Sequence, residues 1–156
     1  MTDALRLTTA DHLSILNLEA EYARRWDTKD AAGWAALFHE RGVFRTVGVG
    51  KLASLHFEGH DELSAFCRET NDEFEGLHLI HTPAVEIAGD EGRGWSHFEF
   101  QSSRTHGQTG ELNRVTGIYS SLYSRSGAGW RITRRAEQVV TINGRQFYPA
   151  PATLDP

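Results

Sequence analysis

The chain has 156 residues, of which 39% are hydrophobic and 24% charged, with a formal net charge of −5. This balance suits one domain with its own core and argues against a nucleic-acid partner, because no basic excess exists to neutralise phosphates. The single cysteine, Cys67, excludes an intrachain disulfide and a cysteine-rich zinc site, and no apolar run reaches membrane-spanning length.

The first predicted element is a helix in "TTADHLSILNLEAEYARRWDTKD". Thr8 or Thr9 suits its N-cap, and Asp11 sits well in the first turn against the helix dipole. Leu13, Leu16, Ala20 and Ala23 form an apolar stripe at spacings of three and four, widened by Ile15, Leu18 and Tyr22. Trp26 and Asp27 close the helix. A second helix is predicted over "DAAGWAALFHERG", capped by Asp30, ended by Gly42 and buried through Trp34, Leu37 and Phe38. "VFRTVGVGKL" reads as a strand or extended arm, and "GHDELSAFCRETNDEF" as a third helix with Leu63, Phe66 and Cys67 inward. Cys67 there is expected to be a buried structural thiol.

Strands are predicted near 77–88, 93–104, 113–125 and 129–142, with turn residues in "AGDEG" and "SRSGAG". Pro83 implies a bulge or an edge position in the first of them. The domain is expected to span 1–156, with a core of about 10–142 and a loose Pro-rich tail over 143–156. Helices followed by long antiparallel strands indicate an α+β fold: a cone-shaped, strongly curved, mostly antiparallel sheet wrapped around three N-terminal helices. The open end of such a cone is a natural small-molecule pocket.

Three stretches carry a resemblance. "YARRWDTKDAAGWAALFHERGVF", "LHLIHTPAVEIAGDEGRGWSHF" and "GIYSSLYSRSGAGWRITRR", in that order, resemble the first helices, the histidine strand with its hairpin, and the last hairpin of the SnoaL-like polyketide cyclases and the wider nuclear transport factor 2-like superfamily, whose fold is also called cystatin-like. Within that superfamily scytalone dehydratase and hexachlorocyclohexane dehydrochlorinase use an Asp–His pair. The resemblance matches their aspartate to Asp27, their histidine to His78 and the dehydrochlorinase arginine to Arg135. Tyr119 falls near a later polar residue of the dehydratase, and Trp26 stands where the dehydratase has a tyrosine. The resemblance also implies a homodimer formed through the outer sheet face, while many relatives only bind ligands or serve as subunits of larger oxygenases.

An unperturbed imidazole titrates near pH ~6.5, so His78 is a usable base at neutral pH, and Asp27 can fix its tautomer by accepting the Nδ1–H. The alternative is structural, with Asp27 capping the next turn and His78 hydrogen-bonded in the core. His81 has the opposite parity to His78 on an unbroken strand and reaches the pocket only through a bulge at Thr82–Pro83. His97 shares parity with Trp95 and Glu99, against Phe98 and Phe100, and the reading favours the phenylalanines as the inward pair. Arg135 is expected to hold a ligand oxygen; its structural alternative is a pairing with Glu137, Glu99 or Glu86. Tyr22, Trp26, Phe44, Phe66 and Tyr119 are expected walls. The histidines lack metal-ligand spacing, and nucleotide and serine-hydrolase motifs are missing, so neither metal nor cofactor is expected.

The resulting expectation is a cofactor-independent lyase or isomerase, dehydratase- or cyclase-like, acting on a hydrophobic small molecule by Asp–His general base catalysis. The alternative is a non-catalytic ligand-binding protein, or an accessory subunit of a multicomponent enzyme such as a ring-hydroxylating oxygenase. No basic region precedes an apolar stretch at the N-terminus, so a cytoplasmic location is expected, with neither nucleic acid nor membrane as partner.

Overall fold

A computed structural model describes residues 3–47, 55–104, 112–146 and 155–156. Helices α1 (Asp3–Asp27), α2 (Ala31–Ala35) and α3 (Gly59–Glu73) accompany strands β1 (Phe38–Val47), β2 (His56–Glu58), β3 (Phe74–Ile80), β4 (Ala84–Ala88), β5 (Glu91–Arg104), β6 (Asn113–Ser126), β7 (Gly129–Ile142) and β8 (Arg145–Gln146). The strands form one curved, unclosed sheet in the order β2-β1-β7-β6-β5-β3, with β4 added to β5 and β8 to β7. This is the expected α+β architecture. Among the described residues no helix is long and apolar enough to cross a membrane.

Three local expectations are corrected. The second helix is one turn and a half, because from Phe38 onward the backbone joins the sheet: Ile132 N–H donates to the Leu37 carbonyl, and β1 then runs parallel to β7. Sheet pairing over a long sequence distance overrides the local helical pattern of "WAALF". The strand expected over 77–88 is two strands, since Pro83 has no N–H to donate and the ladder on β5 lapses between Ile80 and Ala84. On α1 the buried residues are Ile15, Leu18, Glu19, Tyr22 and Trp26, whereas Leu13 and Ala20 are exposed. The true inner stripe has the spacing i, i+3, i+4, i+7, i+11, and a glutamate occupies its second turn.

β8 continues the sheet past residue 142, and the Asp155 carbonyl accepts from the Arg45 guanidinium. The rest of "YPAPATLDP" lies outside the described residues.

β5, β6 and β7 are the long strands of the sheet. Phe98 stacks on Tyr119 at 4.2 Å between ring centroids, 17° from parallel, directly beside Gly117, its register partner. A Cβ on Gly117 would stand 2.2 Å from the Gln138 carbonyl oxygen and 2.6 Å from the Phe98 ring. Gly117→Ala is therefore expected to lose about 1–3 kcal/mol by overpacking, read as a lower urea midpoint at unchanged slope.

Candidate active site

The site is built where α1 stops. Lys29 takes a left-handed conformation (φ 62°), its N–H bonds the Trp26 carbonyl at 2.9 Å, and Asp30 N–H bonds the Arg25 carbonyl at 2.8 Å. This is the Schellman pattern, here with lysine where glycine is usual. Asp30 then caps α2 by accepting from Gly33 N–H at 2.9 Å. Lys29 Nζ also meets Glu75 Oε1 at 2.8 Å, which ties the turn to β3 three residues before His78.

Asp27 is thereby presented to β3. Its Oδ2 accepts the backbone N–H of His78 at 2.9 Å, and its Oδ1 lies 2.7 Å from His78 Nδ1. A carboxylate only accepts, so Nδ1 carries a proton, and in the neutral ring Nε2 is then the nitrogen with the lone pair. The side chains are 11% and 6% exposed. The imidazole is set among rings: Phe100, its register partner on β5, at 4.4 Å, Trp26 at 5.7 Å and Tyr22 at 6.2 Å between centroids.

His78 lines a cavity of about 340 Å³ whose wall is predominantly apolar. Tyr22, Trp26, Phe44, Phe66 and Tyr119, the aromatics singled out from sequence, all line it. Phe98 and Phe100 join them, whereas His97 is exposed on the other sheet face against Trp95, at 4.5 Å between ring centroids. Thr70, Ser102, Arg104 and Asn113 add polar groups. Larger depressions of about 510 and 700 Å³ are lined by β4, β5 and β6 residues such as Glu86, Arg93 and Leu122, with no part of the Asp–His pair.

Two expected site residues lie elsewhere. His81 is exposed, in the break between β3 and β4, with its ring 6.1 Å from that of His97. No bulge turns it inward. Arg135 is inward but does not reach the cavity. It is 0% exposed and sits behind the wall, with its guanidinium 4.1 Å from the Tyr22 ring centroid and 4.9 Å from that of Tyr119. It donates to Ser121 Oγ at 2.9 Å and pairs with Glu19, not with Glu137, Glu99 or Glu86. Burial opposes its charge, but the Glu19 carboxylate beside it holds its affinity for the proton above the ordinary value.

Sequence reasoning missed Glu137 as a cavity residue. It lies two residues from Arg135 on β7, so both point to the same sheet face. Arg135 is covered by α1, whereas Glu137 opens into the cavity. Burial raises its carboxyl to about 7, partly offset by the Tyr119 phenol and the Arg135 charge. Burial likewise keeps the Tyr22 and Tyr119 phenols above their ordinary range, so both remain O–H groups at neutral pH. The Cys67 thiol is fully buried and pushed up to about 12 by burial, which leaves it inert as a nucleophile.

A curved, unclosed sheet around helices, with an apolar cavity between them, is an α+β fold shared with solved nuclear transport factor 2-like structures. The chain belongs to the SnoaL-like domain family, whose profile matches residues 8–136. A type 2 hexachlorocyclohexane dehydrochlorinase superimposes with a TM-score of 0.75 at 15% identity, over 97% of this chain and 100% of that one. A nuclear transport factor 2-like protein of cystatin-like fold from Novosphingobium aromaticivorans gives 0.73 at 22% identity, over 91% and 89%. A superfamily member from Salmonella enterica serovar Typhimurium gives 0.74 at 19%, over 88% and 96%. At these identities the likeness is one of fold. No curated protein matches the sequence.

Proposed function

We propose that the protein is a cofactor-independent lyase or isomerase that abstracts a proton from a hydrophobic small molecule. The observation that carries this reading is the double hydrogen bond from His78 to Asp27 at the wall of an apolar cavity. A carboxylate on Nδ1 selects the tautomer whose Nε2 can accept a proton, and it stabilises the imidazolium that results. The low-dielectric aromatic wall strengthens that stabilisation, because the Asp27 charge is poorly screened there.

Solvent-deuterium incorporation into 2-tetralone, a neutral bicyclic ketone with acidic C–H groups beside its carbonyl, tests the reading by proton NMR. The wild type is expected to accelerate exchange, and His78→Ala to lose about 10²- to 10⁴-fold of that rate. Rates no faster than the protein-free background in both proteins would leave a ligand carrier, with the same aromatic walls serving binding alone.

A further inference from the structure

We propose that Glu137 is the general acid of this site, donating a proton to the oxygen of a ring-shaped ligand whose neighbouring C–H is deprotonated by His78. The assignment rests on the proton-abstraction reading above and extends it to a second group and a substrate class.

Glu137 and His78 line the same cavity from different strands, β7 and β3, with β6 and β5 between them in the sheet. A ligand filling the cavity therefore lies between an imidazole and a carboxyl group. The Glu137 side chain is half-buried, and the opening it lines is this cavity.

The charged and titratable neighbours are few. Tyr119 on β6 is its register partner, Tyr22 comes from α1, His78 from β3 and Arg104 from the end of β5. α3 and β1 present Phe66, Thr70, Phe44 and Thr46, none of which titrates. On its own strand the nearest cation, Arg135, is committed to Glu19. No ion pair involves Glu137 among the described residues. A carboxyl in an aromatic cavity without a dedicated cation holds its proton to a higher pH than usual, which is what general acid catalysis near neutrality requires. The direction of its shift, to about 7, agrees with that placement.

The chemistry balances. His78 Nε2 takes the proton from carbon, and the C–H electron pair becomes part of a new C=C bond. If the ligand oxygen is a carbonyl, its π pair takes the Glu137 proton and an enol forms. If it is a hydroxyl on the adjacent carbon, the C–O bond breaks and the oxygen leaves with the Glu137 proton as water. Either route ends with imidazolium and carboxylate, which are reset by passing one proton from His78 to Glu137 through solvent. The ligand class is thus an apolar ring compound bearing a carbonyl or hydroxyl oxygen one carbon from an acidic C–H.

Glu137→Gln keeps the shape and a hydrogen-bond donor but has no transferable proton. In the 2-tetralone assay it is expected to lose about 10²-fold or more in exchange rate, while the ketone's Kd by equilibrium dialysis stays within about 3-fold of wild type. The wild-type exchange rate should fall as pH rises through about 7, and Glu137→Gln should lack that limb. A readout independent of activity accompanies it. Folded Glu137 binds its proton more tightly than unfolded glutamate, so the wild type loses stability relative to Glu137→Gln as pH rises from 4.5 to about 7, and the gap is constant above and below that window. The ¹³C carboxyl resonance absent from Glu137→Gln should titrate in the same upper range. A midpoint near 4.5 for that resonance overturns the assignment, as does a Glu137→Gln exchange rate close to wild type. Failure of the wild type to bind or exchange 2-tetralone overturns the substrate class. Full exchange in His78→Ala with a normal loss in Glu137→Gln overturns the base reading instead, so the two failures are distinguishable.

Discussion

Asp27→Asn is expected to lower the 2-tetralone exchange rate by about 10³- to 10⁴-fold while the far-UV circular dichroism and the ketone's Kd stay unchanged. The reason is the geometry of the two acceptor contacts. In the wild type both carboxylate oxygens accept, one from the His78 backbone N–H at 2.9 Å and the other from Nδ1–H at 2.7 Å. Asparagine has one oxygen and one NH₂. The backbone N–H can only donate, so the amide must turn its oxygen to the backbone and its NH₂ to the ring. Nδ1 then has to accept, and the ring proton moves to Nε2. The imidazole stays in place, held by an amide of nearly the same shape, but its free nitrogen is no longer a base. Nor does any negative charge remain to stabilise the imidazolium. A rate within about 10-fold of wild type would mean that Asp27 serves as a structural link between α1 and β3, worth only the ~1 kcal/mol of ordinary hydrogen bonds.

How much of this was readable in the sequence varies residue by residue. The fold was legible because its evidence is local: a capped helix, period-two strands and glycine-rich turns in one order. His78 was legible as an imidazole in an apolar strand, and Asp27 only through the resemblance to the superfamily's Asp–His pair. Their contact spans 51 residues and depends on the left-handed turn at Lys29, which no local pattern announces. The parallel pairing of β1 with β7 was hidden for a related reason, since a helical pattern in "WAALF" says nothing about a strand a hundred residues away. Glu19 and Glu137 each lie on a face that is otherwise buried, where a carboxylate in a sequence ordinarily marks the surface. Parity on β7 held the available signal: placing Arg135 inward also places Glu137 inward. His81 shows the converse, for the proline two residues on breaks the strand without turning the side chain.

Arg135→Ala is expected to destabilise the fold by about 3–5 kcal/mol, read as a lower urea midpoint, because it strands the Glu19 carboxylate in the core. Glu19 is 3% exposed, and its Oε1 also accepts from the Tyr123 hydroxyl at 2.9 Å. With the guanidinium gone, that phenol is the carboxylate's remaining partner, and Tyr22 and Tyr119 lose a cation that both rings contact. The ion pair itself need not be the stabilising element. Among the described residues Glu19 Oε2 and Arg135 Nη1 lack hydrogen-bond partners, so each ion is incompletely compensated for its lost hydration. The double replacement Glu19→Met with Arg135→Met is therefore expected to recover most of the loss, since apolar side chains of similar volume remove both desolvation penalties together. That recovery would separate two roles. If the double variant folds at near wild-type stability but exchanges 2-tetralone more slowly, Arg135 acts as a positioning residue, holding the two tyrosines that form the wall between it and the ligand. If exchange is unchanged as well, the buried pair is dispensable to the chemistry. A double variant as unstable as Arg135→Ala would instead show that the charges, and not their packing volume, hold α1 against the sheet.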